Sequence, residues 1–360
     1  MTAIHQFVPS LAPRDAISGH ALAIQQTLRD VGFQSEIYAL EAKAEYQKRA
    51  KRYDRFRGAR RGEPTWLLYH HSVGTPVADF VRDRAEPLIV DYHNITPASL
   101  FTYWEPLVVD KLAGGRRQLQ VLAPRARLGI ADSAYNAREM HDVGYEDPRV
   151  VPIFFDTHGL ERPSDLEVEQ RRSARKAAGG ADWLFVGRIA PNKCQHDVVK
   201  AFAVYRRFHD PKARLALVGG TSSHGYETAL VKFIDALELH DAVELTGSVS
   251  DEALAAYYRT SDVMVVCSEH EGFCVPLLEA MHFGVPVVAH SAAAVPETLG
   301  DGGLLLPTKN PFSVAAAVDR VVNDGALHAQ LAEAGRTRLD AFALARSRTA
   351  LLDALTSVVP

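Results

Sequence analysis

Short apolar segments alternate along this chain with longer segments whose apolar residues recur at helical spacing. The short segments predict strands, and the longer amphipathic ones predict helices. In the first half, the predicted strands are Ile4–Phe7, Ser35–Ala39, Trp66–His70, Leu88–Tyr92, Leu128–Ala131 and Val150–Ile153. In the second half, they are Trp183–Val186, Arg214–Val218, Val243–Thr246, Val263–Cys267, Val285–Ala289 and Leu304–Leu306. This alternation is typical of a parallel sheet with crossover helices.

The pattern predicts the α/β class, with two doubly wound, Rossmann-like domains. We place an N-terminal domain at residues 1–160, a C-terminal domain at 161–342 and a final helix within 343–360. A hinge is expected around Asp156–Gln170, where Pro163, Ser164 and several charges interrupt the periodicity. Such domains bind ligands beyond the carboxyl ends of their strands, so polar residues that directly follow a strand are candidates for chemistry.

Composition narrows the class of protein only slightly. With 360 residues, 47% hydrophobic and 23% charged, the chain is an ordinary globular protein of about two domains. The net charge of −4 gives no support to nucleic-acid binding. Cys194, Cys267 and Cys274 form no CxxC pair, which predicts neither a disulfide framework nor a zinc site. The chain has no secretory signal pattern and no apolar run of about 18 residues, so we expect a cytoplasmic protein.

Several common nucleotide and hydrolase motifs are absent from the sequence. It contains no GxGxxG after a strand, no GxxxxGK[ST], no HExxH and no GxSxG. It also lacks an Asp-x-Asp pair of the kind that holds a divalent metal on a nucleotide diphosphate. NAD enzymes, P-loop ATPases and α/β-hydrolases are therefore disfavoured, and no metal site is predicted.

The segment from Ser268 to Met281 carries the strongest candidate chemistry. It follows an apolar strand, and Pro276 is well placed in the first turn of a new helix. Gly272 permits close backbone approach, and the amides of residues 272–275 can face an anion. Glu271 and Glu279 can accept hydrogen bonds from the vicinal hydroxyls of a sugar or a ribose. The alternative is a capped helix with solvated glutamates.

A second candidate is the glycine turn after the strand Trp183–Val186. Arg188 and Lys193 follow Gly187 in a loop that opens a helix, where both can reach one polyanion. An arginine fork and a lysine point charge suit a diphosphate, and such cations stabilise a departing diphosphate without a metal. Exposed cations are also common on protein surfaces, which is the alternative for each alone.

Histidines follow two strands of the first half. His93, followed by Asn94, lies at the end of the strand Leu88–Tyr92, and His71 follows the preceding strand. We interpret His93 as a candidate catalytic residue and His71 and Asn94 as weaker acceptor-side candidates. A structural histidine that is hydrogen-bonded in the core is the alternative.

These segments together resemble the family 4 retaining glycosyltransferases of GT-B fold. The resemblance covers the C-terminal half in order, while the N-terminal half matches in architecture and scattered residues. It rests on three motifs, namely Gly187-Arg188 with Lys193, Glu271-Gly272-Phe273 with Glu279, and Gly247-Ser-Val-Ser250. The resemblance implies two Rossmann-like domains facing a cleft, with the last helix, Ala343–Val359, crossing back to the first domain.

The resemblance also implies roles for residues of the second half. Arg188 and Lys193 would bind the donor diphosphate, Glu279 the nucleotide ribose, and Glu271 the transferred sugar. The base would lie near Val249 and the glycine turn at Gly219. The implied donor site consists of Gly187, Arg188, Lys193, Gly219, Val249, Gly272, Phe273, Cys274, Val275 and Glu279. The implied catalytic residues are His93, Arg188, Lys193 and Glu271.

In the first half, the resemblance implies that His93 contacts the donor sugar, with its backbone carbonyl near the anomeric centre. Two departures from the family pattern stand out. The Gly-Gly pair usual after the first strand is missing, and Asp15 and Ser18 stand there as candidates for sugar hydroxyls. The third residue of the family's Gly-Phe-Gly block is Cys274, which keeps the amide but adds a side chain.

A basic segment between Lys43 and Arg61 contains nine Lys and Arg residues against only Glu45 and Asp54. Tyr46, Tyr53 and Phe56 are interleaved with them. A solvated helix face or a loop is one interpretation. The other is docking to an acceptor or to an anionic membrane, as a peripheral protein at the inner face.

The leading hypothesis is a retaining, metal-independent glycosyltransferase with a UDP- or GDP-sugar as donor. UDP-glucose, UDP-N-acetylglucosamine and GDP-mannose remain open as donors, as do polysaccharide, glycolipid and small-molecule acceptors. A sugar-nucleotide epimerase or a phosphorylase of the same fold is one alternative. A non-catalytic sugar- or nucleotide-binding protein is the other. The sequence does not indicate the oligomeric state.

Overall fold

A computed structural model of the protein describes residues 2–59, 63–157 and 160–359. These residues form two compact units. The first unit takes in residues 1–99, 106–155 and 342–360, and the second takes in 100–105 and 156–341. The sequence analysis placed the boundaries at 160 and 342. It did not anticipate that residues 100–105 belong to the second unit.

The first unit contains a seven-stranded parallel sheet. Its strands are β1 (Ala3–Leu11), β2 (Ile37–Ala42), β3 (Ala50–Arg52), β4 (Thr65–His71), β5 (Leu88–Tyr92), β6 (Ala126–Ala131) and β7 (Arg149–Val150). Their order is β3-β2-β1-β4-β5-β6-β7. Every residue of the central strands β4 and β5 is buried, including the polar His70, His71 and Asp91, as expected for parallel strands covered on both faces.

Helices connect these strands, each with a start that the sequence explains. They are α1 (Ala16–Asp30), α2 (Pro76–Arg82), α3 (Pro106–Leu122) and α4 (Ala134–Asp142). The Asp15 carboxylate accepts a hydrogen bond from the Ser18 amide at the start of α1, and the Ser133 hydroxyl accepts one from the Asn136 amide in α4. These side chains satisfy amides that the helix itself leaves unpaired.

The second unit contains a six-stranded parallel sheet. Its strands are β8 (Asp182–Val186), β9 (Arg214–Val218), β10 (Val243–Gly247), β11 (Val263–Val266), β12 (Val287–His290) and β13 (Gly303–Leu306), in the order β10-β9-β8-β11-β12-β13. Its helices are α5 (Leu166–Ala177), α6 (Gln195–Phe208), α7 (His224–Ala236), α8 (Asp251–Thr260), α9 (Val275–His282), α10 (Val295–Leu299), α11 (Pro311–Asn323) and α12 (Gly325–Leu339).

The last helix, α13 (Leu344–Thr356), packs in the first unit. Its apolar residues Leu351 and Leu355 join a buried cluster with Ile4 and Ile89 of the central strands. Burial of this apolar face explains why the chain returns to the first sheet after leaving the second unit. Two parallel-sheet α/β units with this final helix confirm the predicted fold class.

The strand prediction for the first half was wrong in two places. It gave six strands, whereas the structure has a seventh, β3, inside the basic segment. The predicted strand Val150–Ile153 is reduced to the two-residue β7. Strand β3 pairs only with β2 and carries exposed Lys51 and Arg52, so it lacks the apolar pattern of a buried strand. Charged edge strands of this kind discourage pairing with other chains.

Within the described residues, no helix combines the length and the apolar character needed to cross a bilayer. All three cysteines are free thiols and are buried.

Candidate functional site

Glycine turns follow β8 and β9 at the carboxyl end of the second sheet. Gly187 and Gly219 both have positive φ angles, 152° and 146°. A Cβ atom at Gly219 would overlap the carbonyl group of Gly187, so this approach of two backbones requires glycine. The turns bring backbone rather than side chains to the end of the sheet. This is the geometry that a phosphate-bearing ligand needs for close approach.

The loop after β8 is joined to the loop after β11 by backbone hydrogen bonds. The Glu269 amide donates to the Asn192 carbonyl at 2.9 Å, and the Asn192 side-chain amide donates to the His270 carbonyl at 3.2 Å. Because β8 and β11 are neighbours in the sheet, the two loops emerge side by side. Asn192 thus holds together the two segments that the sequence analysis singled out separately.

Lys193 and Glu271 form an ion pair across these two loops. The Lys193 Nζ atom lies 2.6 Å from each carboxylate oxygen of Glu271. The two side chains are only 18% and 8% exposed, which shields the pair from solvent. An ammonium group has three donors, so Lys193 can hold this carboxylate and still donate to a phosphate oxygen.

Arg188 is placed differently from Lys193. Its side chain is exposed, and among the described residues it has no carboxylate partner. Its backbone is fixed, because the Gln195 side-chain amide donates to the Arg188 carbonyl at 2.8 Å. The structure therefore presents an exposed guanidinium from a fixed backbone position next to the glycine turn at Gly187.

The start of helix α9 has an unusual backbone. Cys274 precedes the helix in the left-handed region, with φ 72° and ψ 65°, and its side chain makes no capping hydrogen bond. A non-glycine residue in this region costs of order 1 kcal/mol. Glycine adopts this conformation without that cost, so Cys274 occupies a backbone position that favours glycine. The preceding Phe273 carbonyl accepts a hydrogen bond of 2.6 Å from the Thr298 hydroxyl.

Glu279 lies in α9 and is held by a tyrosine that the sequence analysis did not identify. The Tyr258 hydroxyl, from α8, donates to Glu279 Oε2 at 2.7 Å. Burial raises the pKa of the Glu279 carboxyl above its ordinary value, and the Tyr258 hydrogen bond opposes that shift. A buried carboxylate with one fixed donor keeps acceptor capacity for hydroxyl groups.

Val249 follows β10 and is half-buried. The next residue, Ser250, accepts a hydrogen bond from the Ala253 amide and so caps α8. The Gly247–Ser250 motif therefore serves as the turn from β10 into α8. The Gly219 amide donates to the Gly247 carbonyl at 3.1 Å, which ties this turn to the glycine turn after β9.

In the first unit, His93 belongs to a buried cluster of ionisable side chains. Its ring stacks on His70, with centroids 5.1 Å apart, and its Nε2 lies 2.9 Å from His70 Nδ1. Its Nδ1 lies 3.0 Å from both carboxylate oxygens of Asp132. Asp91 Oδ2 lies 3.5 Å from His93 Nε2 and 3.2 Å from His20 Nε2. The ring of His93 is thus enclosed, with both nitrogens engaged.

The backbone after His93 turns sharply. Asn94 is left-handed, with φ 71°, and its side-chain amide donates to Asn136 Oδ1 at 2.7 Å. The Ile95 amide donates to the Tyr92 hydroxyl. Within residues 2–59, 63–157 and 160–359, no hydrogen bond to the His93 carbonyl oxygen is observed. The side chain of Asn94 thus shapes the turn, and the His93 carbonyl oxygen keeps its acceptor capacity.

His71 is fully buried and has a partner for each ring nitrogen. Its Nε2 lies 2.9 Å from the Gly115 carbonyl, and its Nδ1 lies 3.2 Å from the Tyr69 hydroxyl. Burial lowers the pKa of the His71 imidazole to about 4. These contacts give His71 a structural role, and we do not carry its acceptor-side interpretation further.

Asp15 and Ser18 face each other at the start of α1. The Ser18 hydroxyl donates to Asp15 Oδ2 at 2.6 Å and accepts from the Ala12 amide. Ala12 also lines a cavity of about 410 Å³ at the carboxyl ends of β1 and β2. Ser18 is buried in this network, whereas Asp15 is half-buried. Ser18 thus fixes the Ala12 backbone at the cavity wall, and Asp15 retains acceptor capacity.

The basic segment consists of β3 between short turns of 3-10 helix. Lys51 pairs with Glu36, and Arg52 pairs with Asp54. The remaining cations of this segment that the structure describes are exposed and have no carboxylate within ion-pair distance; they are Lys43, Lys48, Arg49, Arg55 and Arg57. Arg60 and Arg61 lie outside the described residues.

The structure thus brings together the second-half candidates around the carboxyl ends of β8 to β11. It shows four further positioning residues, which are Asn192, Tyr258, Asp132 and His70. Asp132 and His70 could have been found from the sequence, because they follow or end predicted strands. Tyr258 could not, since it lies within a helix where a tyrosine is ordinarily a core residue.

Comparison with known proteins agrees with this architecture. Residues 167–338 match the family model described as glycosyl transferases group 1. A D-inositol 3-phosphate glycosyltransferase of Saccharomonospora viridis is 34% identical over 302 residues, covering 79% of this chain and 68% of the relative. Its namesake in Geodermatophilus obscurus is 32% identical over 309 residues, covering 80% of this chain. The chain spans 65% of the length of that second relative.

Solved structures share the fold. Anabaena HepE in complex with UDP and glucose superposes with a TM-score of 0.77 at 18% identity, covering 99% of this chain and 100% of HepE. Sucrose-phosphate synthase from Thermosynechococcus elongatus also gives 0.77 at 18% identity, covering 99% of both chains. At these identities, the similarity shows the fold alone.

Proposed function

Because the chain belongs to the group 1 glycosyl transferases, we propose that it moves a hexose from a UDP- or GDP-sugar to a hydroxyl of its acceptor, with retention and without a metal ion. The glycosyltransferase activity follows from the family. The stereochemistry, the donor and the metal independence are the proposal. The UDP and glucose bound by HepE and the sugar chemistry of the relatives support a nucleotide-sugar donor.

The ion pair of Lys193 and Glu271 is the observation that carries the proposal. It places a cation for the diphosphate beside a carboxylate for the sugar, at the carboxyl end of the second sheet. The glycine turn at Gly187 and the uncapped start of α9 flank the same loops. A nucleotide-diphosphate sugar carries groups that complement these protein groups. They follow one another along the donor as a ribose, two phosphates and a hexose.

Catalysis in this proposal depends on position and charge. Arg188 and Lys193 stabilise the negative charge that develops on the departing diphosphate, where fixed cations contribute most. Glu271 orients the hexose through its hydroxyls, and Glu279 accepts hydrogen bonds from the ribose. The leaving phosphate takes the proton of the acceptor hydroxyl on the same face of the sugar, so no covalent intermediate is required.

His93 acts in the proposal through its backbone. Its ring nitrogens are occupied by Asp132 and His70, whereas its carbonyl oxygen accepts no hydrogen bond among the described residues. A carbonyl dipole can stabilise positive charge that develops at the anomeric carbon. We therefore assign this role to the carbonyl and none to the imidazole.

For the acceptor, we propose binding at the first unit, near the cavity beside Ala12. The exposed cations of the basic segment support contact with an anionic membrane surface that presents the acceptor. Glycan, glycolipid and small-molecule acceptors all contain the hydroxyl that the reaction needs.

A screen of nucleotides and nucleotide sugars by thermal shift tests the donor assignment. A ligand at 100 times its dissociation constant adds about 2.7 kcal/mol of stability. Product analysis of the stabilising sugar nucleotide, in buffer with EDTA, then tests transfer, anomeric configuration and metal independence. Conversion without an acceptor would indicate an epimerase, and a requirement for inorganic phosphate would indicate a phosphorylase. Saturable binding without any turnover would contradict the proposal.

A further inference from the structure

Four buried ionisable side chains surround His93 in the first unit. They are Asp91 at the end of β5, His70 in β4, His20 in α1 and Asp132 after β6. Such groups are costly to bury unless their charges and protons are matched. The contacts within the cluster show which of its histidines has a carboxylate on each side.

His20 is neutral, with its proton on Nε2. The Phe154 backbone amide donates to His20 Nδ1 at 3.0 Å, so Nδ1 must be an acceptor. The proton then lies on Nε2, which donates to Asp91 Oδ2 at 3.2 Å. With its proton on Nε2, the His20 ring has no nitrogen lone pair directed at the other residues of the cluster. The hydrogen bonding therefore disfavours reading these three histidines and Asp91 as a metal site.

His70 contacts both His93 and Asp91. Its Nδ1 lies 2.9 Å from His93 Nε2 and 3.2 Å from Asp91 Oδ2, and its Nε2 lies 2.8 Å from Gln6 Oε1. Burial lowers the pKa of the His70 imidazole to about 4, so this ring is neutral.

His93 is the histidine of this cluster that lies between two carboxylates. Its Nδ1 lies 3.0 Å from both oxygens of Asp132, and its Nε2 lies 3.5 Å from Asp91 Oδ2. The Asp132 and Asp91 carboxylates raise the pKa of the His93 imidazole to about 9 against the effect of burial, which favours the ring protonated on both nitrogens. The charged groups that face it are Asp132, Asp91 and, further away, Asp15.

We infer that Asp132 is a positioning residue for glycosyl transfer, which holds the His93 ring as a buried cation and thereby fixes the His93 carbonyl at the end of β5. This inference rests on the proposed role of that carbonyl. A cationic ring cannot act as a general base, and it would repel a positive anomeric centre. The imidazole is thus an anchor, locked on one side by Asp132 and on the other by His70.

Asp132→Asn tests the inference, because it keeps the size and one acceptor but removes the charge. We expect the transfer rate at pH 8 to fall by about tenfold to a hundredfold through misplacement of the carbonyl, with the donor KM little changed. Without the carboxylate, the buried His93 ring loses its proton near neutral pH. The variant should therefore regain activity as the pH is lowered towards 6, a dependence that the unaltered protein lacks.

Glu86→Gln is the matched control, because it also removes a buried carboxylate of the first unit. Glu86 forms an ion pair with Arg84. This variant should leave the pH profile of transfer unchanged. A loss of activity in Asp132→Asn that is the same at every pH would show a purely structural role and overturn the inference.

Histidine-selective NMR of the unaltered protein provides a test that needs neither an active variant nor a substrate. The His93 signal, assigned with His93→Gln, should show a cation with both nitrogens protonated between pH 6 and 8. Titration of His93 at or below pH 6.5 would overturn the inference. Failure of the proposed function would instead appear as absence of transfer, with this cationic signal still present.

Discussion

The Lys193 ammonium lies 2.6 Å from both carboxylate oxygens of Glu271, which is 78 residues further along the chain. The contact joins the loop after β8 to the loop after β11. It therefore couples two side chains that bind different parts of the proposed donor. The Lys193 cation binds phosphate, and the Glu271 carboxylate binds sugar hydroxyls. A change of either side chain therefore removes the ion-pair partner of the other.

Replacing Lys193 by Ala should reduce the transfer rate by about 10²–10³-fold, because a fixed cation at a developing charge is lost. The Glu271 carboxylate also loses its partner in a site that is mostly buried. This should lower the free energy of unfolding by about 1–3 kcal/mol without preventing folding. Steady-state transfer assays and urea denaturation measure the two effects.

Lys200→Ala is the control for this variant. Lys200 also pairs with a carboxylate, Asp197, but its side chain is 44% exposed on α6. Its loss should leave the transfer rate unchanged. Near-normal transfer by Lys193→Ala would remove Lys193 from the proposed mechanism.

Tyr258→Phe should weaken nucleotide binding through Glu279. The hydroxyl of Tyr258 fixes the Glu279 carboxylate and opposes the rise of its pKa that burial causes. Without that donor, the pKa of Glu279 rises further, and the ribose loses an ionised, oriented acceptor. We expect the Kd of the nucleotide, measured by calorimetry, to increase by about tenfold. Tyr257 lies on the same helix as Tyr258, and its hydroxyl donates to Glu244 in β10, so Tyr257→Phe should leave that Kd unchanged.

The hydrogen-bonded pair of Tyr258 and Glu279 also predicts that the stability of the protein depends on pH. Because the pKa of Glu279 is higher in the folded protein than in the unfolded chain, the folded state holds its proton to higher pH. The contribution of Glu279 to stability is complete below pH 4.5 and declines as the pH rises through the raised value. Urea denaturation between pH 4.5 and 8 should show a steeper decline in Tyr258→Phe and a shallower one in Glu279→Gln. Identical slopes in all three proteins would contradict this account.

The basic segment should bind anionic membranes. Vesicles that contain phosphatidylserine should co-sediment with the protein at low salt and release it at high salt, since exposed charges are screened. Lys48→Glu with Arg49→Glu should weaken this binding by about tenfold or more. The control, Lys232→Glu with Arg320→Glu, changes two exposed cations of the second unit and should have no effect. Equal binding to neutral vesicles would contradict an electrostatic contact.

The sequence was sufficient for the fold class. Strand ends in parallel sheets place polar residues at one edge, which brings the second-half candidates together, and their roles stay predictions. Glu271 and Lys193, which were singled out as separate motifs, prove to be partners. The contact was invisible in the sequence, since it depends on β8 lying beside β11. Strand β3 was missed because its residues are charged. Tyr258 was missed because a helical tyrosine gives no sign of the carboxylate it meets.

His71 shows the opposite failure, since its position after a strand suggested function whereas its contacts are structural. Its imidazole is neutral in the folded protein, with a pKa of about 4, and becomes protonated more readily in the unfolded chain. Its contribution to stability is therefore present above pH 6.5 and is lost as the pH falls towards 4. His70, whose pKa is also about 4, acts in the same direction.

We therefore expect His71→Gln, which keeps an N–H donor for the Gly115 carbonyl, to reduce the fall in unfolding free energy between pH 6.5 and 4. His141→Gln is the control, because that ring is 74% exposed and its replacement should not alter the slope. The transfer rate of His71→Gln at pH 7.5 should stay within about threefold of the unaltered rate, since conservative changes away from the reacting atoms cost little in transition-state stabilisation. A large loss of transfer with an unchanged pH slope would restore His71 as an acceptor-side residue.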